Sequence, residues 1–192
     1  TNQIAVISAT NIAALNTTQV AKFDTNQVAA LSNGAVGALS SAQVDALAAK
    51  VANLDTTQIR YLNTAAVASL DTTQIAALST ALVKALTVEQ MGSLTTAAVS
   101  GLSTDQLAEL STDQIKALDA AGVAGFSTSQ LAALSTTQLG AVTAVQVKGL
   151  TTAQVLALGT SGVTALSSTQ VAALTVDQMG ALSTAEAAAL ST

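Results

Sequence analysis

Leu102-Ser103-Thr104-Asp105-Gln106-Leu107-Ala108-Glu109 is followed without a gap by Leu110-Ser111-Thr112-Asp113-Gln114-Ile115-Lys116-Ala117, and Leu118 opens the next unit. A short fixed period is the signature of a repeat architecture. Working outward from this stretch, the large apolar residue that opens each octad is Ile7, Leu15, Phe23, Leu31, Leu39 and Leu47 on the N-terminal side. On the other side of one slip it continues from Leu54 through Leu182. The slip is a single seven-residue unit at 47–53, and residues 1–192 read as one repeat array of 23 units with a partial unit at each end. Position 6 of the unit is Val, Ile, Leu or Met, as in Ile12, Val20, Ile115 and Met179, with Ala187 the exception in the last unit and Val51 filling the role in the short one.

Eight residues at about 100° each leave an apolar stripe drifting by about 80° per unit, so one continuous helix would not keep a single apolar face. In a straight strand positions 1 and 6 would point to opposite faces, and Ala is depleted in strands, which leaves a β-solenoid as the alternative. A short helix and a turn in every octad fit best. Position 2 is Ser, Thr, Asn or Asp except at Ala48 and Gly159, the preferred N-cap residues. Position 5 is Gln in 14 units, including Gln19, Gln27, Gln106 and Gln178, and a cap residue followed three positions later by Gln is a capping box. Positions 3 to 8 then form the helix, and position 6 shares a face with the next position 1, three residues on.

The charges agree. Asp24, Asp55, Asp71 and Asp119 occupy position 2, Glu89, Asp105, Asp113 and Asp177 occupy position 4, and Arg60, Lys84, Lys116 and Lys148 occupy position 7. Acids at helix starts and bases at helix ends match the macrodipole, each contributing about 0.3–1 kcal/mol. A six-residue helix is only about 9 Å long and does not persist alone, so stability comes from stacking. Position 8 is Ala, Gly or Ser in 19 units, as at Ala133, Gly149 and Ala173, which lets neighbouring helices approach closely. The fold class expected is an all-α repeat solenoid of very short helices, one helix and turn per octad. Between Gln27 and Gln106 position 5 alternates between Gln and other residues, which suggests a coil of about two octads. The similar units at Leu118-Asp-Ala-Ala-Gly-Val123 and Leu158-Gly-Thr-Ser-Gly-Val163 recur five octads apart, consistent with duplication.

Half the residues are hydrophobic, but aromatics are 2% and charged residues 9%, both low for a globular domain. The core is therefore a thin aliphatic layer. With Cys and His both absent, there are no disulfides, thiolate sites or imidazole bases. A net charge of −5 with six scattered bases argues against nucleic acid as a partner. No apolar run reaches the roughly 20 residues of a membrane span. Thr1 opens partway through an octad and Thr192 closes just after another begins, which reads as a processed chain or a piece of a longer array without polar capping units.

Gln at position 5 admits a polar recognition ladder or a capping role, and capping accounts for it. Thr at position 3 recurs in 14 units, as at Thr56, Thr72, Thr112 and Thr136; a regular array of that kind suits an ice surface or O-linked sugars, and also a plain solvated first turn. The acids form no EF-hand-like loop, so helix-end electrostatics explains them better than calcium. Phe23, Tyr61 and Phe126 are too scattered for a stacking platform, and the two Phe fill core positions. There is no GxSxG or phosphate-loop pattern, and every Ser has a capping role. No catalytic, cofactor-binding or metal site is expected, nor a cofactor or small-molecule substrate, and the chain reads as no enzyme.

Units such as Leu134-Ser-Thr-Thr-Gln-Leu-Gly-Ala141 and Leu166-Ser-Ser-Thr-Gln-Val-Ala-Ala173 resemble the Ala/Thr-rich octad arrays of very long secreted or surface proteins of Gram-negative bacteria. The likeness implies an extracellular or cell-surface setting, type I secretion, and a structural or adhesive role; it carries over no functional residue, and the calcium-binding nonapeptides associated with such proteins are missing here. The functional expectation is an extracellular scaffold forming a rod, spacer or head-to-tail filament, with the chain itself as partner through end-to-end or lateral association. The alternative is an adhesin stalk or surface-binding module, with specificity at positions 4 and 7 and ice binding as a variant.

Overall fold

The computed structural model describes residues 2–190; Thr1, Ser191 and Thr192, and with them the outermost ends of the array, lie outside the described residues. Among the described residues the chain forms 22 α-helices of four to seven residues and two 3-10 helices, and no strand. The all-α solenoid is therefore the fold, and the β-solenoid alternative is ruled out.

One octad shows how the sequence builds the unit. Ser103 is extended (φ −74°, ψ 162°) and precedes the helix Thr104–Ala108. Its Oγ accepts the Gln106 backbone N–H at 3.1 Å, and Gln106 Oε1 accepts the Ser103 N–H at 2.7 Å. The box holds both ends of the first turn, where four N–H groups lack helical partners. The helix closes when the Leu110 N–H donates to Leu107 O at 3.1 Å. Side chains at position 1 (Leu102) and position 6 (Leu107) are buried and form a continuous aliphatic spine with most of their equivalents; Met179, at position 6 near the C-terminal end, is exposed instead. Phe126 is buried in that spine, Phe23 packs against it half-buried, and Tyr61 is exposed.

The fifth position is also buried in nineteen of the units, twelve of them with Gln, so the inner surface takes positions 1, 5 and 6. Acids do sit in first turns, as at Glu89, Asp105, Asp113 and Asp177, and bases in last turns, as at Lys84, Lys116 and Lys148. Asp119 starts its helix without a side-chain cap bond.

Helices pack chiefly against those three elements away in sequence, while side-chain amides reach back four elements, with acceptors 28 and 31 residues earlier. A coil therefore holds about three and a half octads, not the two that the Gln alternation suggested. Half-integral stacking places the start of each helix over the end of one in the coil before it. Position 8 makes the close approaches expected of small residues: a Cβ on Gly101 would lie 2.9 Å from Thr72 Cα, and one on Gly125 would lie 2.7 Å from Thr96 Cγ2. The five-octad recurrence has a packing basis at its second unit. Gly122 and Gly162 sit at position 5; a Cβ on Gly162 would come within 2.8 Å of Leu158 Cβ and 3.1 Å of Leu139 Cδ1, while one on Gly122 would make ordinary contact with Val99 Cγ2 at 3.4 Å.

The two units without a polar position 2 break the pattern. At 47–53 Leu47 stays helical, Ala48 takes φ 50°, ψ −139°, and 3-10 helices follow at Ala48–Asn53 and Gln58–Tyr61. A 3-10 helix rises about 2.0 Å per residue against about 1.5 Å in an α-helix, which offsets the missing residue and keeps Val51 and Leu54 in the core. At 158–159 Leu158 is again helical and Gly159 takes φ 63°.

Candidate functional site

Glutamine at position 5 has two roles at once. Gln106 Oε1 completes its capping box, and its Nε2 donates to Ile75 O at 2.9 Å and Leu78 O at 2.7 Å in the preceding coil. Gln90 repeats the pattern on Ile59 O and Leu62 O, and Gln146 on Ile115 O and Leu118 O. These acceptors lie at helix C-termini: the position-1 carbonyl, as at Leu78, has no backbone donor, and the position-6 carbonyl, as at Ile75, also accepts the N–H three residues on. One amide thus ties a helix N-terminus to a helix C-terminus in the next layer and uses its one acceptor and both N–H donors to do so. Twelve glutamines, from Gln43 to Gln178, form such rungs. Gln19 and Gln27 make the box only, and their amides are not buried.

Other side chains stand in for the amide in two places. Lys50 Nζ donates to Ala21 O at 2.6 Å and Phe23 O at 2.8 Å, a cation on the C-terminal carbonyls of a short helix. Asn63 caps Ala66 N–H and also donates to Leu39 O at 2.8 Å. Glu186 is the one acid at position 5. It is buried and keeps the box, its Oε2 accepting from Ser183 N–H and Oγ–H. A carboxylate has no N–H for a rung, but the residue 28 positions earlier is Leu158, whose carbonyl already accepts Gly162 N–H at 3.1 Å. The acid faces a junction with no orphaned leucine carbonyl.

Among the described residues no buried side-chain polar atom lacks a partner. What remains outside is positions 2, 3, 4 and 7. Position 2 hydroxyls are occupied as caps. Position 3 threonines are exposed, for example Thr72, Thr104 and Thr136, and with three and a half octads per coil they are distributed around the rod on all sides. Lys84 pairs with Glu109 at 2.9 Å and Lys116 with Asp113 at 3.5 Å; such exposed pairs contribute about 0–1 kcal/mol. Lys84 and Glu109, with Arg60, Glu89 and Gln114, line a shallow groove between coils. Hydrogen bonding from its own backbone N–H, and secondly from the Thr87 hydroxyl, holds the Glu89 carboxyl below its ordinary range. Among the described residues no three acids gather where a metal ion could bind, no lysine is hydrogen-bonded to a serine hydroxyl, and no helix is long and apolar enough to cross a membrane.

A family model described as the ALTTAQ repeat matches residues 20–50, 51–88, 88–120, 123–160 and 145–176, well over half the chain. The chain belongs to the ALTTAQ repeat family. Read in one-letter code, that description runs from position 8 to position 5 of the octad: a small residue for close packing, Leu for the spine, a hydroxyl cap, Thr, a variable residue and the rung glutamine. Gly149-Leu150-Thr151-Thr152-Ala153-Gln154 departs from it only in the first residue. The ALTTAQ assignment supports an Ala/Thr-rich repeat array. Comparison with curated proteins gave no match.

The inward rung is the functional feature that reading the sequence missed. Its signal was present: a capping box needs only an acceptor and takes Glu as well as Gln, yet fourteen units carry Gln at this position and one carries Glu.

Proposed function

We propose that the chain is a structural rod or spacer without a catalytic role, acting outside the cell or on its surface. The observation that carries the reading is the ladder: the side chains best suited to specific recognition are turned inward and fully used in joining one coil to the next. The outward surface is mostly hydroxyl and methyl groups with few charges. About seven coils stacked at a helix spacing of about 8–10 Å give a rod about 65 Å long. The extracellular setting follows the likeness of the octads to arrays of secreted and surface proteins. Small-angle X-ray scattering tests the shape: a maximum dimension near 65 Å supports the rod, and a compact particle with a radius of gyration near about 16 Å refutes it. Association of copies end to end or side by side completes the reading, and is checked by sedimentation across a wide concentration range.

A surface-binding stalk is the second reading. Its candidate contact residues are the exposed valines Val145 (69%) and Val176 (88%). Changing both to Ser should abolish such binding without loss of helicity. The spread of Thr around the whole circumference favours either reading over a flat ice-binding face.

A further inference from the structure

Every backbone–backbone hydrogen bond outside the helices joins residues three or four apart, so among the described residues none crosses from one coil to the next. Coils are held together by the aliphatic spine and by side-chain contacts: the rungs, the Ser69 Oγ–H bond to Ser41 O and the exposed Lys84–Glu109 pair. In a stack where each layer touches only its neighbours, one interface opens without dissolving the rest. The rungs are also unevenly distributed. Position 5 runs Gln130, Gln138, Gln146 and Gln154 in one stretch, but Ala66, Gln74, Leu82, Gln90 and Ala98 in a second, and Gly162, Gln170, Gln178 and Glu186 in a third, whose two rungs stand on the α-helices Thr136–Ala141 and Ala144–Gly149. Gln74, facing the seven-residue unit, makes long bonds, 3.1 Å to Val44 O and 3.4 Å to Ala48 O, against 3.0 Å and 2.6 Å for Gln146. The helices below the second stretch, Ala48–Asn53 and Gln58–Tyr61, are 3-10, a poorer hydrogen-bonding geometry.

We propose that the array is an extensible, load-bearing element that lengthens one coil at a time under axial tension, opening first at the junction between residues 44–70 and 72–98. The inference rests on the rod reading. Pulling on the two ends peels a coil of about 28 residues, which releases about 100 Å of extended chain at about 3.5 Å per residue, or about 90 Å after subtracting one coil spacing. The dense rungs between 102–126 and 130–154 open later, so the response is graded along the molecule.

The test is single-molecule force spectroscopy on the whole chain. It contains no Cys, so Thr10→Cys and Thr184→Cys, both exposed, attach handles at unique sites. The expected record is a staircase of lengthening steps near 90 Å that reverses on relaxation. Gln90→Met should lower the force of the first step, while Gln146→Met should leave the first step unchanged and lower a later one. A single rupture releasing the whole array overturns the proposal, as does a first step sensitive to Gln146→Met and indifferent to Gln90→Met. Step size is read without either glutamine variant, so a variant that misfolds does not protect the idea. Scattering separates the two readings: a 65 Å rod that ruptures all at once defeats extensibility alone, and a compact particle defeats the rod.

Discussion

Replacing Gln106 by Glu separates the two roles of the position-5 side chain. Glutamate retains an acceptor for the Ser103 N–H, so the capping box survives. It removes the two Nε2 donors that lie 2.9 Å and 2.7 Å from Ile75 O and Leu78 O, and puts a charged oxygen in a site only 2% exposed. Two lost hydrogen bonds at about 0.5–1.5 kcal/mol each, together with a buried acceptor left unpaired at about 1–3 kcal/mol, predict a loss of about 2–6 kcal/mol at neutral pH. Gln19→Glu is the matched control. Gln19 makes the box but no rung, and a negative charge at a helix N-terminus is favourable by about 0.3–1 kcal/mol, so its stability should be unchanged or slightly raised. Urea denaturation followed by helical circular dichroism reads both variants. Native-state hydrogen exchange at the amides of residues 75–78 localises the effect if unfolding is not two-state. Equal stabilities for the two variants, within about 0.5 kcal/mol, would refute the rung, because a glutamine that only caps is replaceable by Glu at either position.

Glycine substitutions should have opposite signs in two places. Gly180→Ala, where a Cβ meets nothing within 4 Å, should stabilise its helix by about 0.5–1 kcal/mol. Gly101→Ala, pressed on Thr72 Cα and O, should destabilise by about 1–3 kcal/mol because a whole coil must shift; melting temperatures decide. Ala48→Gly should raise stability by about 1 kcal/mol by relieving φ 50° at a residue with a Cβ, and equal melting curves would argue against strain there. Glu89 has a lowered folded pKa, so its contribution is present above the unfolded carboxylate range and is lost as pH falls through the folded value. Full exposure keeps the effect small, and Glu89→Gln should differ from the parent near neutrality and converge with it in acid.

Local structure was legible because each octad carries its own instructions. Leu102 and Leu107 mark the spine, Ser103 marks the helix start, and the charges at Asp113 and Lys116 give its polarity, all from interactions within eight residues. The coil was not legible, because nothing inside one octad encodes how many octads make a turn. The alternation from Gln27 to Gln106 does not mark a two-octad coil; from Gln43 onward it separates the glutamine rungs from positions filled by Ala66, Leu82 and Ala98 or by the stand-in Lys50. Of the two similar units, Gly162 is where Leu158 and Leu139 leave no room for a Cβ at position 5, whereas Gly122 has ordinary contact only. Burial of the glutamines escaped notice because a capping box explains an acceptor and is silent about the amide N–H groups. Glu186 then marks the limit of that rule, lying over Leu158, whose carbonyl is satisfied within its own helix. No site chemistry was anticipated, and the chemistry that emerged joins the protein to itself.

The central claim, that buried glutamines bond one coil to the next, is tested most directly by exchange of the glutamine side-chain amides in 15N-resolved NMR. The account predicts twelve slowly exchanging NH2 pairs, those from Gln43 to Gln178, and rapid exchange at the exposed Gln19 and half-buried Gln27. Exchange at solvent rates for Gln106 and its equivalents, matching Gln19, would contradict it.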